Sequence, residues 1–215
     1  MRHERRHRLP FISERLIEYS AALRWIGERY PDTVLDVGPG EGPWPALLAA
    51  EGIDVTAIDE MASYWGNRFF NRHFEVARGD ITSPHLDRKF EVVTCISVLE
   101  HIPDHRAAMQ GMFSVLAPGG VLVLTCPYNE RRFVDNCYEL PEATWGMSAG
   151  YICRQYSRSE LDQWLADSGG ELVEIERWDA VTGETWASGQ RRRPPLRAAV
   201  EERHQLACML VRAAS

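Results

Sequence analysis

The sequence predicts an α/β fold, a doubly wound and mostly parallel sheet with helices on both faces. Three observations carry that expectation. Residues 33–59 read TVLDVGPGEGPWPALLAAEGIDVTAID: an apolar β-branched run, three glycines within ten residues, a helix-like segment, and a second apolar run closed by an acid. That is the strand, turn, helix, strand order of a parallel unit. Further strand-like runs at 74–80, 90–97 and 121–128 alternate with segments of helical period. At 215 residues the chain can build one sizeable core and is too short for two comfortable domains, so 1–215 reads as one domain.

The glycine turn is the first feature with chemical content. Small residues there let the backbone turn tightly and approach a ligand, which the next helix meets with its N-terminus. Gly38, Gly40 and Gly42 alternate, and Pro43 stands where the third glycine of a dinucleotide fingerprint would fall. No Lys followed by Ser or Thr is present, so the turn is not a phosphate-cradling P-loop. Asp36, two residues before Gly38, repels a pyrophosphate and attracts an ammonium or hydroxyl group. Asp59, nineteen residues after Gly40, is placed to accept from ribose hydroxyls. The expected ligand is a nucleoside with a positive amino-acid tail.

With VLDVGPGEG followed by an acid ending the next strand, the chain resembles the class I S-adenosylmethionine-dependent methyltransferases, nearly throughout and most strongly over residues 33–128. The resemblance implies a Rossmann-like, seven-stranded sheet whose last strands are antiparallel, with S-adenosyl-L-methionine as cofactor. It also implies that Asp80 accepts from the adenine amino group, that the Ile81 amide meets the ring, and that a helix in residues 1–31 contributes to a lid. Met61, which follows Asp59 closely on an expected helix over 61–71, is available to flank the adenine.

Taken in order, apolar residues at 12, 16, 19, 23 and 26 give the first helix its period, and Pro31 stops it. Before it, Arg2, Arg5, Arg6 and Arg8 read as a solvated tail. Pro43 and Pro45 suit the first turn of the second helix, where the missing donors have no partner anyway. The fourth strand, FEVVTCIS, runs into VLEHIPDH, so Ser97, Glu100 and His101 fall beyond its carboxyl end, where ligands of such sheets sit. His101 is the candidate proton acceptor because neutral imidazole titrates near working pH. The alternative is that Glu100 and His101 only cap the next helix and shape the pocket.

A helix over 104–116 closes at Ala-Pro-Gly-Gly, a type II turn. The fifth strand then leads to Cys-Pro-Tyr, where Tyr128 begins a substrate-side insertion over 127–156. That long aperiodic stretch, ending at Tyr156 and rich in Arg and aromatic residues, is the expected acceptor pocket. Ser157 and Glu160 form a capping box for the next helix, which ends at Gly169. Residues 172–178 and 205–211 read as the last two strands. Between them, 179–204 reads as an exposed insertion with a short helix from 196 to 204 and a basic run at Arg191, Arg192 and Arg193.

The expected reaction is transfer of a methyl group to a small-molecule acceptor, a sugar or secondary-metabolite hydroxyl, with His101, Tyr128 and Tyr156 on the acceptor side. Asp36, Gly38, Gly40, Asp59, Met61, Asp80, Ile81 and Ser97 are the expected cofactor residues, and no metal is expected. A small-molecule N-methyltransferase and a non-catalytic S-adenosylmethionine-binding partner subunit are the alternatives, with a nicotinamide oxidoreductase behind them. A net charge of −7 argues against nucleic acid and acidic lipid as partners and leaves a homo-oligomer open. Five cysteines without a C-x-x-C pair read as free thiols, and the N-terminus lacks a signal-peptide stretch, which suits a cytoplasmic protein.

Overall fold

The computed structural model describes residues 14–40, 42–60 and 74–214. Helix α1, Glu14–Arg29, precedes β1, Thr33–Val37; α2, Trp44–Ala50, carries the chain to β2, Asp54–Asp59. Then come β3, Glu75–Arg78; β4, Phe90–Ile96; a 3₁₀ turn, Leu99–His101; α3, His105–Val115; and β5, Leu116–Pro127. After a long loop, α4 spans Arg158–Ser168 and is followed by β6, Glu171–Val181; β7, Arg191–Ala198; and β8, Leu206–Arg212.

The strands form one sheet in the order β3-β2-β1-β4-β5-β8-β6-β7. The pairs from β3 to β5 are parallel, while β5–β8, β8–β6 and β6–β7 are antiparallel. The chain reverses its winding between β1 and β4, so the crevice beyond their carboxyl ends is where a ligand belongs. Two apolar layers cover the sheet. α1 and α2 pack with Val34 and Val92 on one face, and α3 and α4 pack with Leu35 and Val93 on the other. Alternate residues of β1 and β4 thus point into different layers, which is why both strands are mostly apolar.

Two expectations are corrected here. Among the described residues the sheet has eight strands, because Arg191–Ala198 inside the expected exposed connection pairs with β6, and residues 199–204 are turn and coil where a helix was expected. Pro194 and Pro195 hid this strand; a proline cannot donate to a ladder, and only an edge strand such as β7 tolerates it. The buried face of α1 is also rotated from the expected stripe. Ile17, Ala21, Ala22, Trp25 and Ile26 face the sheet, while Leu16 and Leu23 are exposed. Polar anchors select this rotation: Trp25 Nε1 donates to Glu174 Oε2 at 2.9 Å, and Glu18 is buried against β4 and β5.

Local rules act at other ends. Gly119 takes φ +71°, as the third position of a type II turn requires. Both hydrogen bonds of the Ser157–Glu160 capping box are made, and Gly169 ends α4 in the left-handed region. All five cysteines are buried free thiols. Among the described residues, no helix is long and apolar enough to cross a membrane.

Candidate active site

A cavity of about 820 Å³ opens beyond the carboxyl ends of β1, β2 and β4. The backbone determines its floor. Gly38 adopts φ +69° with its N–H on Ile58 O at 2.9 Å, and a Cβ there would stand 2.7 Å from Val98 Cγ1. The turn therefore has no room for a side chain. Gly40 is also left-handed, at φ +54°, but faces open space. Farther along, a Cβ at Gly111 would fall 1.7 Å from Ile81 O, so α3 presses its backbone against the loop after β3 and fixes Ile81 beside the cavity.

Of the expected cofactor residues, Asp36, Gly38, Gly40, Asp59, Asp80, Ile81 and Ser97 all line this cavity. Met61 lies outside the described residues. Asp36 is nearly fully buried and accepts from Thr94 Oγ1 at 2.7 Å, while Trp44 Nε1 donates to the same hydroxyl oxygen. Burial pushes its carboxyl up to about 7, with the Thr94 hydrogen bond and the Arg15 charge opposing. Asp80 accepts from Thr82 N at 2.8 Å and Thr82 Oγ1 at 2.7 Å, so it shapes its own turn while facing the cavity. Ser97 sits at φ +50°, held by N–H bonds to Thr125 O and Thr125 Oγ1, and its hydroxyl donates to Glu18.

His101 lines the cavity as well. Ile152 O lies 2.7 Å from Nδ1, and because a carbonyl only accepts, that nitrogen carries the proton and Nε2 is the basic one in the neutral ring. Burial lowers its pKa below the ordinary imidazole value. Tyr151 meets the ring edge-on at a centroid distance of 4.7 Å and stands exposed at the mouth.

Tyr128 and Tyr156 are corrections: neither lines the cavity, and both are fully buried. Tyr128 donates to Glu130 Oε2 at 3.1 Å, and Tyr156 donates to Leu99 O at 2.9 Å while packing edge-on against Trp164. Burial raises both phenols. Their β-bridge staples the two ends of the loop together, a role with no marker in the sequence.

The loop between them also differs from the expected pocket, since Tyr151 is its sole member lining the cavity among the described residues. The rest buttresses the site from behind. Arg154 N donates to Glu100 O and its guanidinium to Ile102 O, while Gln155 bridges Arg132 O and Trp186 N. The basic run is likewise absorbed by partners: Arg191 lies between the rings of Trp145 and Trp186 and pairs with Glu14, and Arg192 pairs with Asp179.

Sequence reasoning missed Arg15 and Tyr19 as site residues and left open whether Trp44, between Pro43 and Pro45, packs or meets the ligand; all three line the cavity. α1 delivers Arg15 and Tyr19 one turn apart; Tyr19 stacks on Trp44 at 4.9 Å, and Arg15 Nη1 pairs with Glu18 Oε2 at 2.7 Å. Arg15 is the one Arg or Lys side chain among the described residues lining the cavity. Its helical spacing to Tyr19 was legible, but only the tertiary fold brings α1 over the glycine turn.

Residues 1–175 match the family described as methyltransferase domain, well over half of the chain. This chain belongs to the class I S-adenosylmethionine-dependent methyltransferases. It is 37% identical over 158 residues to a ubiquinone biosynthesis O-methyltransferase from Psychrobacter arcticus, covering 63% of the chain and 58% of that enzyme, less than two thirds of its length. A ubiquinone biosynthesis O-methyltransferase from Pseudomonas paraeruginosa is 30% identical over 166 residues, covering 71% of the chain and 72% of the relative. In fold, the chain is similar to the N-methyltransferase NodS of Bradyrhizobium japonicum, crystallised with S-adenosylhomocysteine. The TM-score is 0.62 at 20% identity, over 94% of this chain and 88% of that one.

The residues fit the cofactor of this methyltransferase family. Asp59 and Asp80 would offer acceptors to a ribose diol and an adenine amine, Asp36 would face the ammonium, and Arg15 would take the α-carboxylate. Asp36 makes the fit pH-dependent. Because its folded pKa is raised, the neutral form persists to about 7, and the stability this group gives the free protein falls as pH rises from the ordinary carboxylate range through about 7. A cationic ligand group favours the ionised form. S-adenosylhomocysteine affinity is therefore expected to rise between pH 5.5 and pH 8, about 1.4 kcal/mol for each tenfold, with proton release on binding below pH 7. Calorimetry in buffers of different ionisation enthalpy reads this; the same pH dependence in Asp36→Asn would remove the assignment.

Proposed function

We propose that this methyltransferase transfers the methyl group to a hydroxyl of a small aromatic acceptor. The observation that supports it most directly is His101, half-buried in the wall of the same cavity as the glycine turn, with Nδ1 committed to Ile152 O and Nε2 left to receive a proton. Bound S-adenosylmethionine supplies a methyl group on a positive sulfur, already activated toward displacement. What the chain supplies is placement and a proton sink. Asp36, Asp59, Asp80 and Arg15 would hold the cofactor, which would supply the methyl group to the acceptor oxygen, and the acceptor proton would go to His101 Nε2.

A phenolic hydroxyl suits this arrangement better than a sugar hydroxyl, the other acceptor among the sugar and secondary-metabolite hydroxyls expected from the sequence. Phenols ionise near pH 10, within reach of a weak imidazole base, whereas an alkyl alcohol holds its proton far more tightly. The walls contributed by Tyr19, Trp44 and Tyr151 suit a planar ring. The relatives described above carry names from ubiquinone biosynthesis, which is consistent with a phenolic acceptor. The test is mass spectrometry of products from S-adenosylmethionine with catechol, phenethylamine and methyl glucoside in parallel. Methylation of catechol alone is expected. Methylation of the amine alone would move the chain to the N-methyltransferase reading, and no turnover of any class would favour a non-catalytic binding subunit.

A further inference from the structure

Glu100 is the buried ionisable group that this scheme leaves unused. It sits in the 3₁₀ turn beside His101, its side chain 4% exposed, with Oε1 3.9 Å from His101 Nε2. Among the described residues, Oε2 is buried with no hydrogen-bond partner. A buried carboxyl oxygen with no partner is costly unless something uses it. Its neighbours do not supply a full counter-charge. On α1, Arg15 is already shared with Glu18, and the carboxylates of Glu18 and Glu14 oppose ionisation of Glu100. Cys95 of β4 and Cys126 of β5 are buried thiols pushed upward, hence neutral. The same holds for Cys137, Cys153, Tyr138 and Tyr156 in the long loop.

We propose that Glu100 is a positioning residue that shares with His101 the proton taken from the acceptor, balancing the imidazolium while the ring stays anchored on Ile152 O. The inference rests on His101 being the base. Above about pH 8, where Glu100 is ionised, the proton leaves the acceptor oxygen for Nε2 and the positive ring lies beside a carboxylate instead of among apolar side chains. Burial pushes the Glu100 carboxyl up to about 8 and lowers His101, so below about 8 the pair already holds one proton, on Glu100. Above that pH the pair is empty and can accept another. Without Glu100, His101 titrates alone, below 6.5.

Two readouts test this on the full chain saturated with S-adenosylhomocysteine or supplied with substrate. In ¹⁵N-histidine-labelled protein, His101 Nε2 is expected to sense a step near pH 8 in the wild type. That step is expected to be absent in Glu100→Gln, leaving only the lower transition. In the same variant, the acid limb of catechol methylation should move down by more than about one pH unit, whereas a merely structural residue would change amplitude without moving the limb. Glu100→Met, which fills the space without titrating, should behave like Gln and covers a Gln variant that fails to fold. A wild type with no step near 8, or a Gln variant that keeps it, overturns the role of Glu100. The base reading fails separately, through normal turnover in His101→Asn.

Discussion

His101→Asn is expected to lower catechol methylation by about 10²- to 10⁴-fold, the usual worth of a positioned general base, while S-adenosylhomocysteine affinity stays nearly unchanged. Asn is the informative substitution because its amide still offers a donor to Ile152 O, whereas it has no nitrogen that accepts a proton. The change therefore removes basicity and keeps much of the shape. The kinetic signature matters as much as the size. A group that acts only in the transition state lowers kcat and kcat/KM together, while a wall of the pocket raises KM at constant kcat. Steady-state kinetics with catechol, beside calorimetry with S-adenosylhomocysteine, separates the two. Turnover within about twofold of wild type would leave His101 as part of the wall.

Gly38→Ala is expected to cost both stability and cofactor affinity, and Gly40→Ala much less of either. Both glycines are left-handed, so each substitution carries about 1–2 kcal/mol of backbone strain. Only Gly38 adds a collision, with Cγ1 and Cγ2 of Val98 at 2.7 and 2.8 Å, and a β-branched side chain cannot swing away cheaply. Val98 itself lines the cavity, so relief of the collision displaces the wall that the cofactor would meet. The melting temperature should fall by roughly 2–4 °C per kcal/mol lost, and S-adenosylhomocysteine binding should weaken at least about tenfold (1.4 kcal/mol). Scanning and titration calorimetry on both variants checks this. Equal losses at Gly38 and Gly40 would show that strain alone, without Val98, is responsible.

The residues proposed for the cofactor could be placed at the cavity from the sequence because their placement is local. Asp36, Gly38, Gly40 and Asp59 fall at strand ends set by a short apolar run and a turn, and short segments place such residues without help from the rest of the chain. Asp80, Ile81 and Ser97 follow by the same logic just beyond the carboxyl ends of β3 and β4. The acceptor half was not legible. Tyr128 and Tyr156 sit in a stretch whose composition suits a pocket, but composition does not say which rings turn inward; burial and the Leu99 and Glu130 contacts took these two. Tyr151, equally aromatic in the same stretch, is the one brought to the mouth.

By itself the sequence determined the parallel half of the sheet, the glycine turn and the acids around it, since hydrophobic period and backbone freedom act over a few residues. Only the tertiary structure decided the eighth strand, the rotation of α1 that delivers Arg15 and Tyr19, and the orphaned carboxyl of Glu100 beside His101. Those features arise where segments far apart in the chain meet. A proline-bearing edge strand needs a neighbour to pair with, a helix face is selected by partners such as Glu174, and a carboxyl is unpaired only by what surrounds it.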